Sequence, residues 1–146
     1  MHALKLSLAI ANALVFTSAH VLPRQASGSI SCDQGGANTI QVSDIRGLIS
    51  NLNNNNIAGL GTGSFDLASL LTLGQPSSGQ VTQGSITVVL SNHQPFESTH
   101  VAFTTVAQAL QQYQDVCCGS FSSCIGGDTT VTGNTGLNVD MKISPI

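Results

Sequence analysis

Apolar positions recur along this chain in two rhythms. Ile45, Leu48, Ile49 and Leu52 fall at i, i+3, i+4 and i+7, which predicts a helix over 44–52 with one buried face. Ser43 stands at its expected N-cap, and Asp44 in the first turn suits the helix dipole. Phe103, Val106, Leu110, Tyr113 and Cys117 alternate spacings of three and four and predict a second helix over 100–118. Ser98 or Thr99 would cap it, and Gly119 would end it.

Other segments alternate with a period of two. Leu137, Val139, Met141 and Ile143 point one way and Asn138, Asp140 and Lys142 the other, the pattern of a half-buried strand over 137–143. Residues 85–92 read as a second, well-buried strand, joined to a strand over 80–82 by a Gln83-Gly84 turn. Short strands are expected over 29–32 and 128–132, the latter entering a hairpin at 133–136. Residues 64–73 fit either a strand or a helical turn stopped by Gly74, whereas 75–79 and the asparagine run 53–56 read as loops. The order β-α-β-β-α-β-β implies an α+β fold, a small disulfide-linked α/β sandwich with an antiparallel sheet and two helices on one face. A single domain over 29–146 is expected.

The first residues follow neither rhythm. Lys5, the apolar stretch from Leu6 to Phe16, and Thr17-Ser18-Ala19 have the order of a secretory signal peptide over 1–19. Leu22-Pro23-Arg24 offers a further processing site, so 20–28 reads as a propeptide or an uncleaved arm. The leader reading sharpens the charge balance. Charged residues make up 8% of the chain, against roughly 25% in ordinary soluble proteins. From Gln25 onward two basic residues, Arg46 and Lys142, face seven acidic ones, a net charge of −5. Such a chain has no basic surface to neutralise phosphates, so nucleic acid is not an expected partner. No long apolar run follows the leader, so no transmembrane segment is expected. Tryptophan is absent and aromatics are 4%, which argues against a stacking platform for sugars.

All four cysteines, Cys32, Cys117, Cys118 and Cys124, follow the leader, and an even count in that context implies disulfides. A Cys117–Cys118 bridge would be strained. On the expected second helix Cys117 continues the buried stripe and Cys118 turns about 100° from it. Cys117 is thus placed to meet Cys32 in a neighbouring strand, and Cys118 to close a short loop onto Cys124. A zinc site is the weaker reading, since only His93 and His100 could complete it and no second spaced pair exists.

No nucleophile elbow, phosphate-binding loop or His-Glu-x-x-His motif is present. Gly59-Leu60-Gly61-Thr62-Gly63 lacks a lysine and a strand–helix setting, and reads as a loop. One polar cluster, His93, Glu97, His100 and Arg46, holds the residue types of acid–base phosphodiester cleavage. Helix capping accounts for Glu97, and a surface position for His100. Asp128 and Asp140 could approach across strands, with solvated surface the stronger reading. No catalytic residue, metal ligand or cofactor is therefore assigned.

Taken together, several segments resemble a known type of protein. They are the leader with its Pro-Arg site, Ser31-Cys32, the Val42-Ser43-Asp44-Ile45 helix start, the strand 85–92 and the run Phe96-Glu97-Ser98-Thr99-His100-Val101. A helix ending in Cys117-Cys118 and a closing hairpin over 133–143 complete the set. The arrangement is similar to small secreted fungal proteins of the killer-toxin-like and extracellular-effector type. The resemblance implies a secreted, non-enzymatic protein that binds an extracellular host or competitor target. A cell-wall or surface-associated structural protein is the alternative expectation, and a small ribonuclease-like hydrolase a further one.

Overall fold

The computed structural model describes residues 28–61 and 63–146. The expected leader, and the arm up to residue 27, lie outside the described residues. The chain runs through β1 (Ser31–Cys32), β2 (Ile40–Gln41), α1 (Val42–Asn53), β3 (Ser64–Leu67), α2 (Leu70–Leu73), β4 (Ser77–Gln83) and β5 (Ile86–Asn92). It continues through β6 (Thr99–Ala102), α3 (Phe103–Tyr113), a π-helical turn (Gln114–Cys118), β7 (Ser123–Cys124), β8 (Gly127–Thr132) and β9 (Asn138–Pro145). The fold is α+β.

The main sheet is antiparallel, in the order β1-β8-β9-β5-β4. These are the five strands that the alternating pattern predicts. Ile86, Val88 and Leu90 of β5 and Val139, Met141 and Ile143 of β9 point to one side and are buried there. They meet Ile45, Leu48 and Leu52 of α1 and Phe103, Val106 and Leu110 of α3 in one core. Both helices thus cover the same face, and the other face of the sheet is left to solvent. Two ribbons, β3–β6 and β2–β7, flank the assembly. The β3–β6 ribbon lies over β4 so closely that a Cβ on Gly79 would stand 2.8 Å from the Phe65 ring. Phe65 in turn meets Phe103 edge-on, with ring centroids 5.1 Å apart.

Four expectations need correction. Helix α1 starts at Val42, and its N-cap is Gln41 rather than Ser43. No side-chain cap hydrogen bond is made; the amide of the first helical residue, Val42, instead bonds the Ser122 carbonyl at 3.0 Å. Asp44 does lie in the first turn. Its carboxylate accepts the Ser85 amide at 2.8 Å and the Ser85 hydroxyl at 2.7 Å, which holds the carboxyl below its usual range. It sits under the β4–β5 turn at Gly84, where φ is +54° and a Cβ would reach within 2.4 Å of the carboxylate, so only glycine fits.

Helix α3 starts at Phe103, not at residue 100, because 99–102 alternates buried and exposed and pairs with β3 as a strand. Ser98 and Thr99 cap nothing: Ser98 Oγ accepts the Ser69 amide, and Thr99 Oγ1 donates to Asn134. Residues 77–79, expected in a loop, belong to β4. The ambiguous stretch 64–73 is both things in turn, β3 and then the single turn α2, ended by Gly74 at φ +69°.

The fourth correction concerns the cysteines. The disulfides join Cys32 to Cys117 and Cys118 to Cys124, with Cα–Cα separations of 5.6 and 4.9 Å, as expected. The burial is reversed, however. Cys118 is 1% exposed, and Cys117 is only partly buried. A π-turn holds more residues per turn than an α-helix, so it shifts the buried stripe by one position. Beyond Tyr113 the inward face passes to Gln114 and Cys118. Cys117 is left at the rim, where β1 arrives.

Candidate polar face

Two central rows of side chains on the free face of the main sheet are set by the strand register. Asp128 on β8 stands opposite Lys142 on β9, which stands opposite Val89 on β5 and then Gln80 on β4. In the next row Thr130 stands opposite Asp140, then Ser91, then Ser78. Cross-strand partners lie on one face because side chains alternate in step along paired strands. Asp128 and Asp140 are therefore diagonal neighbours, with Lys142 beside both. The chain leading into β1 closes one side, with Gly28 against Thr130. His93, just beyond β5, closes the far end, its Nε2 3.5 Å from Asp140 Oδ2. The result is an open depression of about 600 Å³, lined by Ser29, Val89, Ser91, His93, Asp128, Thr130, Asp140 and Lys142.

The structure divides the four residues of the expected cluster. His93 belongs to this face. His100 lies on the β3–β6 ribbon, directly opposite Asp66, with Nδ1 2.6 Å from Asp66 Oδ1. The hydrogen bond from His100 is the main cause that holds the Asp66 carboxyl below its usual range. The His100 amide also bonds Asn134 at 2.9 Å, so this histidine ties the ribbon to the β8–β9 turn. Arg46 is on the exposed side of α1, without an ion-pair partner among the described residues. Glu97 is exposed, and its contribution is its backbone carbonyl, which accepts from Asn92. No serine hydroxyl or cysteine thiol among the described residues hydrogen-bonds His93, whose imidazole faces Asp140.

Among the described residues no group of three or more His, Cys, Asp or Glu is arranged to hold a metal ion. The sheet face gathers two carboxylates, one ammonium, one imidazole and several hydroxyls, all at the surface. Lys142 was the component that sequence reasoning left out. The alternation Asn138-Asp140-Lys142 already placed it beside Asp140, and the register supplied the partner strand. Comparison with family models, with curated proteins and with solved structures finds no match for this chain.

Proposed function

We propose that this is a secreted, non-enzymatic protein that acts by binding an extracellular host or competitor target, in the manner of killer-toxin-like or effector proteins. The two-row polar face around Asp128, Asp140, Lys142 and His93 is its contact surface. That face is the observation that supports the reading: it is concave and carries charges and hydroxyls on rigid strands, where binding side chains are held most accurately. Two disulfides suit an oxidising compartment. No helix of the described residues is long and apolar enough to cross a membrane.

The test is a dose–response assay on plant tissue and on competing fungi, with the wild type beside the double variant Asp128→Lys, Asp140→Lys. Reversing two charges at a contact face is expected to weaken the response about tenfold or more, because like charges then meet where opposite ones did. A wild type inert on every tissue and competitor, or a double variant of undiminished potency, removes the reading. The alternative of a surface-associated structural protein draws on exposed apolar side chains at both ends of the strands, Leu71 and Phe96 at one and Val116 and Phe121 at the other. A film at the air–water interface supports that alternative, and a soluble monomer without a film removes it.

A further inference from the structure

We propose that the paired loops 68–76 and 93–98 form a lipid-binding tip, which inserts Leu71, Leu73 and Phe96 into the surface of an electroneutral bilayer. These three side chains are 64%, 53% and 79% exposed, and every residue over 71–76 and 93–98 is exposed. Leu71 and Leu73 of α2 are both exposed, so the core does not require them.

The tip is nevertheless held in place. The Leu70 amide bonds the Gln94 carbonyl at 2.9 Å, and the Leu71 amide bonds the Pro95 carbonyl at 3.1 Å. Beneath them Asn92, fully buried, donates to the carbonyls of Ala68 and Glu97 and accepts the Gln94 amide. Ser98 Oγ accepts the Ser69 amide, joining the loops a further time. Apolar side chains that a buried polar hub fixes in water are preorganised for an apolar partner.

Charge selects the occupant. Glu97 is the one acidic residue in the two loops, and neither loop holds a lysine or an arginine. The basic residues Arg46 and Lys142 lie on α1 and β9, off the tip, so anionic headgroups find no counter-charge there. Two tips meeting face to face would bring two Glu97 carboxylates together. An electroneutral lipid surface opposes neither feature and takes up apolar side chains alone. Three inserted side chains give reversible binding like that of a single acyl chain, with an association constant of about 10⁴ M⁻¹.

The chain has no tryptophan, so Phe96→Trp supplies a single fluorescent reporter at the tip. With phosphatidylcholine–sterol vesicles we expect a blue shift, together with co-flotation of the wild type that salt does not reverse. Leu71→Ser and Phe96→Ser should each weaken flotation about tenfold or more, the loss for one inserted large apolar side chain. Phe121→Ser, at the opposite end of the strands, should leave it unchanged. Absence of flotation at millimolar lipid overturns the proposal. So does an equal loss from Phe121→Ser, salt-sensitive selection of phosphatidylserine, or a Phe96-dependent dimer without lipid binding. Vesicles contain no protein target, so this outcome is independent of the role of the polar face.

Discussion

Single side chains in this protein show where its stability is held and where it is wasted. Thr129 faces inward from β8, and its hydroxyl has no hydrogen-bond partner among the described residues; Gln114 Oε1 is in the same position. A buried hydroxyl left unpaired costs about 1–3 kcal/mol relative to water. Valine has nearly the same shape and suits a strand. Thr129→Val should therefore raise stability by about 1 kcal/mol, read as a higher urea midpoint with an unchanged slope. Asn92 is the opposite case, buried with its amide used in full. The sequence distinguishes these residues poorly. Asn92, Thr129 and Gln114 are polar residues in segments that read as strand or helix, and only the partners brought by other elements tell a satisfied group from an orphan. The histidines failed for the same reason: His93 and His100 lie close in sequence, but their carboxylates come from β9 and β3.

At the scale of elements, periodicity located the main sheet and the two long helices, but it missed β2, β6 and β7 of the flanking ribbons and mistook the helix starts. The five strands of the main sheet and both long helices follow from alternation and from the three-four spacing. Both helix starts differ from the expected ones, and neither helix has a side-chain cap. The amide of the first residue of each helix is taken instead by a backbone carbonyl, that of Ser122 for Val42 and that of Gly63 for Phe103. The π-turn after α3 has no signature in the spacing, and it reversed the burial of the adjacent cysteines. The same region should govern behaviour in alkali. Tyr113 is fully buried at the end of α3 and donates its hydroxyl to the Ile125 carbonyl. Burial, with the negative charge of Asp33 adding, pushes its phenol up from 10.0 to about 12. The folded state thus keeps the proton after the unfolded chain has lost it. Stability from this group is whole below pH 10 and declines as pH rises towards 12, by roughly 2–3 kcal/mol in all. Unfolding curves from pH 9 to 12 should show that decline. Tyr113→Phe should start lower and lose less across the window. Equal pH slopes for the two proteins would exclude Tyr113 as the cause.

For the whole molecule, the cross-links gather at one end of the strands and the apolar tip at the other. The Cys32–Cys117 link spans 85 residues and the Cys118–Cys124 link spans 6. Chain entropy assigns roughly 4–5 kcal/mol to the longer and roughly 2–3 to the shorter. Replacing Cys32 and Cys117 by serine should accordingly lower the denaturation midpoint more than replacing Cys118 and Cys124, and the reverse order would show that the local turn matters more than the loop. The layout also bears on assembly in time. β9 is last in chain order, yet it lies in the interior of the sheet, between β8 and β5. Neither neighbour has its full pairing until residues 138–145 arrive. Nearly all of the chain must wait, unpaired along that seam, for its final strand. Such a sheet closes late and through contacts distant in sequence, which makes for slow folding. Were it secreted, as proposed above, such a chain would still be loose inside a translocation pore and would knit only on the far side.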